Sequence, residues 1–151
     1  MKLVRLRWTV HRPQGGSTKY VVSGEVLDLR DDCESLLVKA MRQLVLMIQP
    51  LVENAIKHGA SGNVGRTTVR LRARVDPLAR MLDVTVRDDG VGMDEPTLVA
   101  VAAGERLQEA SGVGLTNIRQ RLALLFGTHH EFDVRSTEGD GTTVHLRMPM
   151  R

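Results

Sequence analysis

The feature that most restricts the fold is a pair of short segments with strict two-residue periodicity. In the first, Val69, Leu71, Ala73 and Val75 alternate with Arg70, Arg72 and Arg74; in the second, Leu82, Val84 and Val86 alternate with Asp83, Thr85 and Arg87. Successive side chains of a strand point to opposite faces, so each segment has one apolar and one polar side. Such strands can be covered on one face only, which calls for a mostly antiparallel sheet with its helices on a single side. The expected architecture is a two-layer α/β (α+β) sandwich with a mixed, mostly antiparallel sheet.

The rest of the chain supplies the parts. Residues 3–10 alternate Val4, Leu6, Trp8 and Val10 with Arg5, Arg7 and Thr9, and after a turn at Pro13–Ser17 a Val-rich segment from Tyr20 to Leu29 completes a hairpin. Asp31 and Glu34 resemble a capping box ahead of a long run of helix formers. Pro50 lacks an N–H for the carbonyl four residues back, so the spacing predicts a kinked helix from about 41 to 58. Asp94, before Glu95-Pro96, caps a short helix reaching about Ala102. Residues 104–112 have little apolar periodicity and are expected to be mobile. Leu115, Ile118, Leu122 and Leu125 mark another helix, stopped by Gly127. Phe132–Ser136 and Thr142–Met148 are closing strands joined by a turn at Glu138-Gly139-Asp140-Gly141.

The chain has 151 residues with 42% hydrophobic content, which suits one domain over 1–151 with one core. Its single cysteine, Cys33, excludes an internal disulfide and a cysteine zinc set. Absence of a membrane-length apolar run or a signal-peptide core makes a cytoplasmic setting the expectation. The net charge of +3 and 3% aromatic content speak against base stacking, so nucleic acid is not the expected partner. An anionic small molecule carrying phosphate suits the spread of arginines better.

Polar residues gather at element ends in four places: 53–58, 88–92, 111–117 and 139–143. In Gln49-Pro50-Leu51-Val52-Glu53-Asn54-Ala55-Ile56-Lys57-His58-Gly59, Leu51, Val52, Ala55 and Ile56 form an apolar stripe, while Glu53, Asn54, Lys57 and His58 share the opposite side of one turn. Neither a P-loop nor a Rossmann glycine pattern is present, and the adjacent His129 and His130 lack metal-ligand spacing. A glycine pair taken alone is more often a turn than a phosphate cradle.

Taken together and in this order, the four stretches resemble those of the GHKL superfamily (gyrase, Hsp90, histidine kinase, MutL), nearest the ATP-binding catalytic domain of LytS-type sensor histidine kinases. Residues 49–59 resemble the N box, Asp88–Gly92 the first glycine box, Gly112-Val113-Gly114-Leu115-Thr116-Asn117-Ile118-Arg119-Gln120-Arg121-Leu122 the second, and Gly141-Thr142-Thr143 the closing strand. The likeness runs from about residue 44 to the end and implies a Bergerat-type fold whose residues 94–111 form a lid over ATP.

The resemblance also implies roles. Asp88 would accept a hydrogen bond from the adenine amine, Gly90 and Gly92 would let the backbone pass close to the base, and Thr142 would hold a water shared with it. Asn54 would give its amide oxygen to Mg²⁺. Glu53 would polarise the nucleophile near the γ-phosphate, and Lys57 and His58 would contact phosphate. Gly112, Gly114 and Leu115 would present backbone N–H groups at a helix N-terminus, with Asn117 assisting. The implied partners are ATP, a histidine-bearing dimerisation domain and a response regulator, in a parent protein that a membrane can anchor.

Two departures stand out. Asp89 occupies a place usually held by Asn, adding negative charge near the nucleotide, and the phosphoacceptor-histidine segment of the family is missing. The expectation is therefore a fragment of a longer sensor kinase that cannot phosphorylate itself. Two alternatives share the same motifs: a GHKL module that binds ATP to regulate a partner, and an anti-sigma-type serine kinase.

Overall fold

The computed structural model describes residues 5–11, 21–28, 42, 47–55, 68–105 and 113–150, with backbone only for the first two segments. Strands β1 (Arg5–His11), β2 (Val21–Asp28), β3 (Val69–Asp76), β4 (Met81–Asp88), β5 (Glu131–Thr137) and β6 (Gly141–Pro149) make one sheet in the order β2-β1-β3-β4-β6-β5. Every pairing among them is antiparallel. Helix α1 is described over residues 47–55, followed by α2 (Glu95–Ala103) and α3 (Val113–Phe126).

Register carries the alternation across the sheet. Leu71 lies opposite Val86 and Ala73 opposite Val84; on the far side of β4, Val86 faces Val144, Val84 faces Leu146 and Leu82 faces Met148. These side chains are all buried, whereas Arg70, Arg72, Arg74 and Arg87 are exposed. The buried face meets Met47, Ile48, Leu51 and Ala55 of α1, Val101 of α2, and Leu115, Ile118, Leu122 and Phe126 of α3 in one core. Each large side chain so buried stabilises the fold by about 1.5–3 kcal/mol relative to exposure. The single apolar face of the strands is thus covered by one helical layer.

The local signals act as the residue types require. Asp76 Oδ1 accepts from the N–H groups of Leu78 and Ala79, both at 3.0 Å, and so shapes the β3–β4 turn. Asp94 accepts from Thr97 N–H at 2.9 Å at the start of α2. Gly127, at φ 57°, donates to Ala123 O at 2.9 Å and ends α3.

One inward position differs from expectation. Leu125 is 41% exposed, and Phe126, at 6%, takes its place in the core. The buried stripe steps from Leu115 to Ile118, Leu122 and Phe126; one further step of four keeps the last residue over the sheet, while a step of three turns it outward. Pro50 lies within helical residues 47–55, as expected; the remainder of the 41–58 span, apart from Arg42, lies outside the described residues, as does most of the 104–112 segment.

Candidate functional site

Asp88 closes β4 in phase with Leu82, Val84 and Val86, so its side chain turns to the helix-covered face and is only 7% exposed. Its Oδ1 accepts from Gly90 N–H at 3.0 Å and Thr142 N–H at 3.3 Å. Among the described residues no donor reaches Oδ2. Burial pushes this carboxyl above the usual carboxylate range; the backbone N–H groups of Gly90, Thr142 and Asp88 itself oppose that rise in part, and the charge of Asp89 adds to it. A carboxylate so anchored, with no donor on its second oxygen among the described residues, can accept a further hydrogen bond there.

The backbone around Asp88 is held by the β5–β6 hairpin. Gly139 N–H donates to Val91 O at 2.7 Å. Gly92 has φ +69°, and a Cβ there would lie 2.0 Å from Thr137 O; Gly141 has φ +89°, and a Cβ there would lie 2.1 Å from Asp88 O. Gly90 is buried and gives its N–H to Asp88. Ser136 is the meeting point of this region: its Oγ accepts from Met93 N–H at 2.8 Å, donates to Gly141 O at 2.9 Å, and lies 2.9 Å from Thr142 Oγ1. The sequence singled out Thr142 but not Ser136. The signal that could have found it is register, since Ser136 faces Thr142 across the hairpin.

Asp89 has the opposite phase. Its Oδ1 accepts from Thr68 N–H at 2.7 Å, and its own N–H donates to Thr68 O at 3.3 Å, which extends the β3–β4 pairing. The extra negative charge is therefore engaged by backbone. Thr68, Arg70, Arg87, Asp88 and Asp89 line a cavity of about 140 Å³. That is small beside typical ligand pockets of about 300–1,000 Å³.

The second group of site residues lies where α1 meets α3. A Cβ on Gly114 would lie 3.2 Å from Asn54 Oδ1 and 3.5 Å from Asn54 Cβ. Glycine therefore lets the Asn54 amide rest against the first turn of α3, where N–H groups and the positive end of the helix dipole face outward. Glu53 is exposed and accepts from Gln49 Nε2 at 2.9 Å, one turn earlier. Leu115 buries its side chain in the core, which leaves only its backbone for a ligand, and Asn117 is exposed. Thr116 Oγ1 donates to Glu105 O at 3.3 Å and Arg119 Nη1 donates to Ala102 O, tying α3 to the end of α2. Lys57, His58 and Gly112 lie outside the described residues.

Two clusters thus form on the helical side of the sheet: Asp88, Gly90, Gly92 and Thr142 at the strand ends, and Asn54 with Gly114 and Leu115 at the helix ends. The first cluster offers acceptors, and the second lies at a helix N-terminus whose N–H groups suit an anion. Asn54 presents a neutral amide oxygen, which a hard cation accepts as ligand. Among the described residues no three His, Cys, Asp or Glu side chains gather to hold a metal by themselves, and no helix is long and apolar enough to cross a membrane.

Comparison with known proteins gives the lineage. The chain is 31% identical over 107 residues to an uncharacterized sensor-like histidine kinase of Staphylococcus epidermidis, covering 70% of this chain and 20% of that protein. It is 30% identical over 125 residues to the sensor histidine kinase YesM of Bacillus subtilis, with 83% and 19% covered, and 32% identical over 108 residues to the sensor protein kinase HptS of Staphylococcus aureus, with 70% and 20% covered. The chain spans about a fifth of the length of these curated relatives. Residues 40–151 match the family described as histidine kinase-, DNA gyrase B-, and HSP90-like ATPase. With this match over most of its length, the chain belongs to that ATPase family, on the side of the sensor histidine kinases.

Proposed function

We propose that this chain is the ATP-binding catalytic domain of a two-component sensor histidine kinase. It takes up Mg·ATP and passes the γ-phosphate to a histidine on a separate dimerisation domain, from which a response regulator receives it. The observation that carries this reading is the Asp88 carboxylate, buried and anchored through Oδ1, with no donor on Oδ2 among the described residues. Such an acceptor pairs with the exocyclic amine of adenine and repels the carbonyl that guanine has there. Gly90 and Gly92 keep the backbone slim beside the base, and Thr142 adds a hydroxyl next to Asp88.

The helix ends serve the phosphates. The N–H groups of Gly114 and Leu115, at the start of α3, would face phosphate oxygens, and Gly112, Asn117, Lys57 and His58 are assigned to the same end of the ligand from their places in the sequence. Asn54 would hold Mg²⁺, and the ion would offset the charge of the phosphates. Glu53 orients the attacking group; its bond from Gln49 fixes the carboxylate beforehand.

The test is transfer of labelled phosphate from ATP to a separately supplied dimerisation helix pair bearing the histidine. Acid-labile label on that histidine is the expected result. ATP binding without transfer to a competent acceptor points instead to a regulatory module, and acid-stable label on serine to an anti-sigma-type kinase. Asn54→Ala should abolish the Mg²⁺ dependence of ATP binding and reduce transfer by at least about 100-fold. Titrations with and without Mg²⁺ check this, and an unchanged metal dependence would remove Asn54 from its role.

A further inference from the structure

Asp88, Thr142 and Ser136 form a row across three strands. Thr142 N–H bonds Asp88 Oδ1, and Thr142 pairs in register with Ser136. Thr142 has the phase of Val144, Leu146 and Met148, so the row lies on the helix-covered face.

Among the described residues, one proton assignment fills every contact in this row. A serine hydroxyl has a single proton, and a carbonyl can only accept. Ser136 therefore gives its proton to Gly141 O and receives Met93 N–H. Its remaining contact, at 2.9 Å from Thr142 Oγ1, is then filled by the Thr142 proton. The reverse assignment would leave Gly141 O without the serine proton and the Thr142 proton without an acceptor among the described residues.

We infer that Ser136 sets the base specificity of the site by drawing the Thr142 proton away, so that Thr142 Oγ1 offers only lone pairs beside Asp88 Oδ2. This inference rests on the proposed nucleotide site. The wall next to the base then holds two acceptors and no hydroxyl donor. A purine with an amine at position 6 can satisfy them directly or through water. A 6-oxo purine has only N1–H to donate and sets its O6 against an acceptor, and the threonine cannot rotate to donate to that O6 while its proton is held by Ser136. Ser136 is a positioning residue, acting on the base through Thr142.

The consequence separates this role from a structural one. In Ser136→Ala the Thr142 hydroxyl is released to donate, so binding of inosine triphosphate should improve relative to ATP. Merely loosening the hairpin would weaken both nucleotides alike. We expect the ATP-to-ITP affinity ratio to fall about tenfold in Ser136→Ala and to be kept in Ser136→Thr, which restores the hydroxyl. Affinities of the intact chain for both triphosphates, measured by calorimetry in excess Mg²⁺, provide the readout, with circular dichroism to check folding. If Ser136→Ala does not fold, Ser136→Cys, whose thiol is a weaker acceptor for the Thr142 proton, should lower the ratio in the same direction. An unchanged ratio in a folded Ser136→Ala protein, or an equal fall in Ser136→Thr, overturns the role of Ser136 while leaving the ATP site intact. Failure of the unaltered chain to bind ATP at all overturns the site and this inference together.

Discussion

Asp88→Asn should yield a folded protein that has lost ATP. The asparagine Oδ1 can still accept from Gly90 and Thr142 N–H, so the bonds that hold the strand end survive. The second oxygen, however, becomes an NH₂ group facing the amine of adenine, donor against donor. Losing a charge-assisted bond and adding that mismatch should cost at least about 100-fold in affinity. Stability should move the other way. Burial raises the carboxyl's pKa in the folded protein, so the fold favours the protonated form. The stability this group contributes is complete below the pKa of an unfolded aspartate and is lost as pH rises through the raised folded value. At neutral pH the neutral amide should therefore melt at the same temperature as Asp88 or above it. Binding has the opposite pH dependence, since adenine needs the ionised form: ATP affinity should fall on acidification at a pH above that of an ordinary aspartate, and the asparagine variant should lack this step. Nucleotide titrations and thermal melts over a pH series test both. A variant that unfolds, or that keeps its ATP, would show that the carboxylate serves packing alone.

The fold was legible because one periodicity decides it. The alternation of Val69–Val75 and Leu82–Val86 allows only a half-covered sheet, and the strands of the structure end within two residues of where the pattern stops. The same signal is blind to register, which sequence periodicity does not encode. Ser136 therefore looked like any polar residue of an edge strand, although pairing places it against Thr142 and brings Met93 N–H to its oxygen. Asp89 was misleading for a related reason: its charge is plain in the chain, but only the partner strand shows that Thr68 N–H receives it. The contact between Asn54 and Gly114 joins elements far apart in sequence, and neither periodicity nor spacing announces it. Leu125 and Phe126 were both apolar candidates for a single inward position, and the drift of a 3.6-residue helix chose the second.

Gly141 should prove, together with Gly92, one of the two least replaceable glycines among the described residues. Two separate penalties coincide there. Its φ of +89° is a conformation that side-chain-bearing residues rarely adopt, and a Cβ would sit 2.1 Å from Asp88 O. The obstacle is backbone, so no rotamer change relieves it; β6 or the end of β4 must move. Together the strained φ and the overlap should cost Gly141→Ala about 3–6 kcal/mol, a large share of the roughly 5–15 kcal/mol that holds a domain folded. Gly139→Ala separates the two effects. Gly139 has a similar φ of +83° but nothing within 4 Å of its Cβ position, so its variant should lose only about 1–2 kcal/mol. Denaturant unfolding of the two proteins side by side makes the comparison. ATP binding adds a second measure, because any shift of β6 that admits the Gly141→Ala methyl also displaces Thr142 N–H from Asp88; Gly139→Ala should bind as before. Equal stability losses in the two variants would mean that β6 does not press on the Asp88 carbonyl, and the close seating of the hairpin against the proposed base site would have to be abandoned.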